Sequence, residues 1–352
     1  MEKKCLFSEG DYSIWRQTGI PAEAFSFLAS IEWGNEGAVY EHRNTAEHIS
    51  LLKNAVLLSI TEKNTLQGTV VFCHTPVSVA SHFYNSYYIR YFAASDHIRG
   101  KGVIKRYSIK VMELIRQEEK EKTIYFACVE GGNKASYNVI ASAGYEKIGT
   151  IKTVGFSRFF PRAKKEVQQV TTEAGRQEVL SLLEKQYSKH SLVHFDSLFI
   201  HDNYFVIREN NEIVAGCQYH REHWVVNSMP GFSGKLIMKV VPKIPLLNRL
   251  FNPERFEFLA FEGIYFKSGY EKRLLELFEA LLVREGLKSA IFWMGETCPH
   301  YTRIMEKGNL GLLHTFIKDS DLYVVAAFQN MNESETARVK ENPMYASAFD
   351  YL

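Results

Sequence analysis

The sequence predicts an α/β protein made of two related halves, and three observations carry that prediction. Short apolar runs of strand length alternate with longer segments whose apolar residues recur at helical spacing. The chain also matches itself at a fixed offset, with Gly102 and Gly269, Ile124 and Ile291, and Gly144 and Gly311 each standing 167 positions apart. An offset of that length fits a duplicated domain and not a solenoid repeat. Finally, 352 residues exceed what one core usually organises, and a hydrophobic fraction of 46% is ample for two.

Taken in order, Ala22 to Trp33 and Asn44 to Lys53 read as short helices, the first rich in aromatics. Ala55 to Ile60 and Thr69 to Cys73 read as apolar strands of a hairpin joined across Lys63 to Gly68. Tyr88 to Ser95 is a further apolar strand, and Val103 to Arg116 a helix with Val103, Tyr107, Val111, Leu114 and Ile115 on its buried face. The run Gln117 to Lys122 is a solvated charged end, Thr123 to Val129 a buried strand, Asn133 to Gly144 a helix, and residues 150–160 a closing strand. The second block repeats the order: Phe256 to Glu262 as strand, Tyr270 to Glu285 as helix, Ala290 to Met294 as strand and Pro299 to Lys307 as helix. Ser268 to Glu271 is expected to form a capping box for the first of those helices.

The stretch from Tyr88 to Arg116 carries the chemistry. Between its strand and its helix lies Arg99-Gly100-Lys101-Gly102. A glycine-spaced loop that ends a strand and opens a helix gathers backbone N–H groups at the positive end of the helix dipole, where a pyrophosphate binds. Arg99 and Lys101 add cationic donors, and glycine removes the Cβ atoms that would hold a phosphate away.

Composition narrows the partners. Lys+Arg 42 against Asp+Glu 40 leaves a net charge of +2, which argues against a broad nucleic-acid surface. The five cysteines are odd in number and scattered, which reads as buried reduced thiols and a cytoplasmic protein. No apolar stretch follows Met1 to Cys5, so neither export nor a membrane span is expected.

The motif Arg99-x-x-Gly102 after its strand resembles the acetyl-coenzyme A loop of the GNAT acetyltransferase superfamily, whose usual form is Arg/Gln-x-x-Gly-x-Gly/Ala; Ile104 departs from it. Asn133-Lys134-Ala135-Ser136-Tyr137 through Gly144-Tyr145 resembles the second signature of that superfamily, and together the two cover residues 1–160. The resemblance implies tandem GNAT-like domains, each a mixed, mostly antiparallel sheet flanked by helices. The boundaries expected are residues 1–162 for a coenzyme-binding domain, 170–330 for a degenerate copy that is structural or holds the acceptor, and 331–352 for a tail with aromatic anchors.

Function follows by the same resemblance: an N-acetyltransferase with acetyl-CoA as co-substrate and a small-molecule or peptide amine as acceptor, working as a monomer or homodimer. Coenzyme contacts would come from Phe92, Ala93 and Ala94 on the strand, one of whose backbone N–H groups would serve the oxyanion. The loop and helix start would add Ile98, Arg99, Gly100, Lys101, Gly102, Val103 and Ile104, and the second signature Asn133, Ser136 and Tyr137. Phe25, Phe27, Trp33 and Tyr40 would wall the acceptor pocket, although aromatics at helical spacing more often pack in a core.

Where the family usually has an acidic tyrosine, this chain has Ile140, which leaves Tyr137 as the candidate acid; a coenzyme thiol, with a pKa near ~8.5, can also leave as thiolate. Candidates for the base are Asp96, His97, His74 and Glu262. Under the fixed offset Arg99 maps to Phe266, Gly100 to Lys267 and Asn133 to His300, so the second copy is expected to have lost coenzyme.

Two other readings stand beside this one: a degenerate pair that binds coenzyme or a partner without turnover, and an aminoacyl transferase of related tandem fold. Cys217, His220 and His223 resemble a zinc set, but on a strand the two imidazoles point to opposite faces. Lys235 to Arg255 mixes apolar and basic residues interrupted by prolines, and reads either as an insertion packed on the second half or as a surface that touches lipid.

Overall fold

The computed structural model describes residues 3–34, 38–317 and 320–352. The first half runs β1 (Lys3–Glu9), β2 (Tyr12–Thr18), α1 (Ala22–Ala29), β3 (Val39–His42), α2 (Thr45–Leu51), β4 (Ala55–Glu62), β5 (Thr65–His74), β6 (Val77–Val79), β7 (His82–Ala94), α3 (Val103–Glu118), β8 (Thr123–Glu130), α4 (Lys134–Ser142) and β9 (Glu146–Ser157). The second runs β10 (Val167–Gln169), α5 (Glu173–Gln186), β11 (Tyr204–Glu209), β12 (Glu212–Ser228), α6 (Gly231–Val240), α7 (Pro245–Asn248), β13 (Phe256–Phe266), α8 (Glu271–Glu285), β14 (Ser289–Gly295), α9 (Pro299–Lys307), α10 (Leu312–Ile317), β15 (Asp321–Gln329) and α11 (Glu333–Glu341).

One sheet joins the halves, in the order β1-β2-β4-β5-β7-β8-β15-β9-β14-β13-β12-β11-β10. Its middle is palindromic. β7 runs parallel to β8, and β13 parallel to β14. Between those pairs β15 lies against β8, β9 against β14, and β15 against β9, all antiparallel. Each half therefore lends its closing strand to the other, so that neither sheet is complete alone.

The apolar spacing read from the sequence forms the helices. In α8, Leu274, Leu277, Phe278, Leu281 and Leu282 are fully buried, and Phe278 stacks on Phe261 with ring centroids 4.0 Å apart. In α3 the buried residues are Tyr107, Val111 and Met112, one step round from the expected face, and Leu114 is only half-buried. The expected capping box is not formed: Tyr270 is the N-cap of α8 and its side chain caps nothing, whereas Asn332 and Glu335 make a capping box on α11.

The duplication survives in topology, but it is not gap-free. Both parallel pairs carry a β-bulge two residues past the last paired position. The first is marked by Tyr91 at φ 53 and the second by Gly263 at φ 57, which places equivalent residues 172 positions apart. By the N-caps of α4 and α9 the offset is 165 positions, so Asn133 matches Cys298 and not His300. The main difference is the linker before the helix, with eight residues, Ser95 to Gly102, in the first half and four, Lys267 to Tyr270, in the second. Counted back from the N-caps of α3 and α8, Arg99 stands opposite Lys267 and not Phe266.

Residues 331–352 are more than a tail. After α11 the chain crosses both halves: Ser191 N–H donates to Pro343 O at 2.8 Å and Tyr345 N–H to Ser191 O at 2.9 Å. It ends against β7, where Tyr88 Oη donates to Asp350 O at 2.7 Å and Arg90 Nη1 to Phe349 O at 3.0 Å. Phe349 is buried there, over the Arg90 guanidinium, whereas Tyr345 is buried in the second half against Tyr187 and Phe195.

Candidate active site

The site begins with the divergence of β7 from β8. Their pairing stops at Ile89 and Ala127, although β7 continues to Ala94 and β8 to Glu130. On the β5 side the register slips between Arg90 and Ala93, which leaves Tyr91 and Phe92 as an extra residue's worth of backbone. A left-handed φ at a bulky residue costs about 1 kcal/mol or more and persists only where neighbours hold it. Here Arg90 stacks its guanidinium 4.4 Å from the Tyr91 ring, Arg90 Nη2 donates to Tyr91 Oη at 3.0 Å, and Thr69 Oγ1 donates to Tyr91 O at 3.1 Å. Arg90 Nη2 also donates to Leu352 O, so the end of the described chain helps clamp the bulge.

The splay opens into a cavity of about 770 Å³. One part is apolar and lies under α3 and α4, among Leu58, Phe72, Val111, Met112, Ala127, Ile140 and Tyr145. The other part lies between the halves and is walled by aromatics, including Trp33, Tyr40, Trp224, Trp293 and Tyr351. Tyr40 and Trp224 stack there with centroids 4.6 Å apart.

Three carboxylates line this cavity: Glu130, Asp321 and Asp350. Asp321 meets Lys152 at 2.8 Å, and Asp350 meets His194 at 3.0 Å. Burial disfavours the His194 cation, but the Asp350 charge and hydrogen bond outweigh it and raise the pKa of the imidazole. Glu130 is different. Among the described residues its carboxylate has no cationic partner; it accepts one hydrogen bond, from Tyr40 Oη at 2.6 Å. Burial raises its pKa above the usual carboxylate value, and the Tyr40 bond only partly opposes that. Cys128 also lines the cavity, but burial pushes its thiol up to about 12, which keeps it from acting as a nucleophile near neutral pH.

The loop stands at the start of α3, with Gly100 at φ 75 and Gly102, its N-cap, at φ 73. Those angles are what require glycine here, since a Cβ at either position meets nothing within 4 Å. The first turn of α3 holds no acidic residue and the N-cap offers no side-chain acceptor, so the leading N–H groups face outward uncapped. Arg99 is exposed, bonded to Asp96 at 3.1 Å and to Ala94 O at 3.1 Å.

Of the residues read from sequence, Phe92, Ile104, Asn133 and Ser136 line the cavity together with Trp33 and Tyr40. Asn133 caps α4, its Oδ1 accepting from Ser136 N–H at 3.0 Å. Arg99 to Val103 lie outside the cavity, as do Ala93, Ala94 and Ile98; Ala93 and Ile98 are buried core residues. Phe25 and Phe27 pack in the cluster under α1 and α2 instead of the cavity wall. Tyr137 meets Tyr323 edge-on at 6.2 Å, and Ile140 takes the place facing the cavity.

The candidate bases are scattered. Asp96 is solvent-exposed, His97 pairs with Glu62 at 2.8 Å, and His74 bonds Asn85. Glu262 is sealed in the second half, where Ser197, Ser347, Gln218 and His220 all reach it. Burial alone would raise its pKa, but the His220 interaction and the serine hydrogen bonds hold it at about 2. Neither Asp96 nor Glu262 lines the cavity. Among the described residues no group of three metal-ligating side chains exists, and Cys217 is buried within β12.

Glu130 was missed because a carboxylate at a strand end usually meets solvent. The signal was available: it is the one charged residue in Thr123 to Glu130 and directly precedes Gly131-Gly132.

This arrangement of a bulged strand, a splayed parallel neighbour and an uncapped helix start belongs to a GNAT-like fold, in tandem form. No family model matches the sequence, and neither does any curated protein. Solved structures do. N-myristoyltransferase from Saccharomyces cerevisiae with bound myristoyl-CoA matches over 97% of this chain and 90% of its own, at 10% identity and a TM-score of 0.58. A second structure of that yeast enzyme, with myristoyl-CoA and inhibitors, matches at 9% identity over 97% and 87%, with a TM-score of 0.60. A GCN5-related N-acetyltransferase from Sphaerobacter thermophilus matches over 81% and 85% at 10% identity and a TM-score of 0.48.

Proposed function

We propose that this protein is an acyl-CoA-dependent N-acyltransferase that moves an acyl group to a primary amine held between the halves. The observation that carries the reading is the β7 bulge and splay, open on one side to an apolar cavity and followed by the uncapped start of α3. In this reading residues 1–162 hold the coenzyme, with its phosphates at Arg99 to Gly102 and its pantetheine along Phe92 to Ala94. Residues 170–330 supply the acceptor wall, and 331–352 clamp the bulge.

Glu130 is the base we assign. An amine must be neutral to attack the thioester, and a carboxylate whose pKa is raised by burial is better matched to taking its proton. The aromatic wall beside it, with Tyr40 and Trp224, suits the stem of an amine. The amine's nitrogen attacks the thioester carbonyl, the oxyanion is met by a bulge N–H, and the coenzyme leaves as thiolate, which a missing Tyr at position 140 does not prevent.

Acetyl is the simplest acyl group for such a fold. The apolar part of the cavity favours a longer one, because each methylene buried there contributes ~0.8 kcal/mol, or roughly fourfold in affinity. Calorimetric titration of acetyl-, octanoyl- and myristoyl-CoA, followed by acceptor-dependent thiol release, tests both points. Micromolar binding that tightens with chain length is expected; equal affinities would restore the acetyl reading, and no binding by any of the three would sink the acyltransferase reading.

A further inference from the structure

We infer that the segment from α6 to α7 is a docking surface for an anionic phospholipid membrane. Phe232 is 85% exposed, Leu236 52% and Val240 39%, and their spacing of four residues sets them in one row along α6. Ile244 and Leu246 continue the exposed apolar surface, so that five of the nine large hydrophobic residues exposed among the described residues fall in this one segment.

Cations accompany that row. Lys235 and Lys239 each sit one position before Leu236 and Val240, and Lys243 and Arg249 follow. No acidic residue occurs from Met229 to Pro253, and none of the four cations has a side-chain partner among the described residues. Elsewhere this protein pairs its charges freely, and the net charge of the whole chain is only +2. The segment is therefore a local basic and apolar surface on a nearly neutral molecule.

An exposed aromatic and aliphatic row flanked by unpaired lysines is the pattern of a helix that lies in a membrane interface. Its apolar side chains enter the acyl boundary while lysine stems snorkel toward anionic headgroups. The prolines Pro242 and Pro245 break the segment into two short helices, which lets it follow a surface without forming a spanning rod. A soluble apolar partner would account for the row but not for the complete absence of acidic residues beside it.

The opposite side of α6 supports the same occupant. Gly234 and Ile237, with Met229 just before the helix, line the cavity, so one helix separates the cavity from the outer apolar row. If the acyl group is long, a point that rests on the function proposed above, its donor or its acylated product is best exchanged at a lipid surface.

The test is co-sedimentation of the full chain with vesicles of phosphatidylcholine alone or mixed with phosphatidylglycerol, without coenzyme, so that a failure here leaves the acyltransferase reading untouched. Binding is expected to the mixed vesicles and to weaken as salt rises. In Lys235→Glu/Lys239→Glu the affinity should fall by at least tenfold, since each lysine lost contributes roughly fivefold. Phe232→Ser/Leu236→Ser should lose at least tenfold as well, and both variants should keep wild-type melting and acyl-CoA affinity because their side chains are exposed and outside the cavity. Absence of binding to the mixed vesicles, or binding unchanged in both variants, overturns the inference. Capture by an acidic polypeptide without vesicle binding overturns it in favour of a protein partner.

Discussion

The two halves build the same backbone device, open in one and filled in the other. Each has a strand with a bulge beside a parallel neighbour and a helix that follows. In the first half the bulge residue is Tyr91, the strands splay into the cavity, and α3 starts after an eight-residue loop with no acidic residue in its first turn and no side-chain cap. In the second the bulge residue is Gly263, and Leu198 and Tyr204 press on it so closely that an added Cβ would lie 2.6 Å from Leu198. The loop there has four residues, and Glu271, 5% exposed, accepts from Gly269 N–H at 3.2 Å. A carboxylate of the chain itself therefore accepts from the loop ahead of α8, where the start of α3 has no such partner. The difference teaches that a duplicated fold preserves backbone geometry, while binding depends on whether that geometry is left open or filled from within.

The largest expected effect tests the open half. Glu130→Gln should lower kcat by about 10²- to 10⁴-fold while leaving acyl-CoA affinity near wild type, as removal of a general base does. In the wild type, activity should fall as pH drops through the raised Glu130 pKa. The stability sign runs the other way. A carboxyl group whose folded pKa is raised stabilises below its unfolded pKa and loses that contribution as pH rises through the folded value. Glu130→Gln should accordingly melt no lower than wild type at neutral pH, and a clearly lower Tm would mark Glu130 as structural.

The filled half should respond in stability and not in coenzyme binding. Glu262 is held at about 2 against an ordinary 4.5, so it contributes roughly 3 kcal/mol that is present above the unfolded pKa and lost as pH falls from there toward 2. Glu262→Ala leaves Ser197, Ser347 and His220 without their acceptor, and a loss of about 3–5 kcal/mol in denaturant unfolding is expected. Unchanged unfolding together with lost turnover would make Glu262 part of the chemistry and break the contrast between the halves.

Charge reversal of the loop is next in size. Arg99→Glu/Lys101→Glu should weaken acyl-CoA binding by roughly 10- to 100-fold with little change in Tm, since both side chains are exposed. The corresponding change in the second half, Glu271→Gln, should leave acyl-CoA affinity unaltered in the same titration. A second binding event in that variant would show the four-residue loop to be a working site held shut by one carboxylate.

Much of this was legible before any coordinates. The strands and helices from Ala55 to Gly144 and from Phe256 to Lys307 follow from apolar periodicity, which records local burial directly, whereas β1, β2, β10, α5 and β11 were not read. Arg99 to Gly102 was legible because glycine takes the left-handed angles found at Gly100 and Gly102 without the steric cost other residues meet. Other features were hidden for definite reasons. Nothing in a tyrosine announces φ 53; Arg90, Thr69 and Leu352 hold it there from three separate regions of sequence. The gaps between the halves were concealed by a chance run of matches at one offset.

By itself the sequence determined the α/β class, the paired halves, the strands and helices from Ala55 to Gly144 and the glycine-spaced start of α3, because each is a matter of neighbouring residues obeying periodicity or dihedral limits. Only the tertiary structure decided that β9 and β15 are exchanged, that Glu262 is sealed while Glu130 faces the cavity without a cationic partner among the described residues, and that residues 349–352 reach back to β7. Those outcomes depend on contacts between residues far apart in the chain. Burial, charge pairing and strand partnership at such distances are properties of the folded whole and leave no local pattern to read.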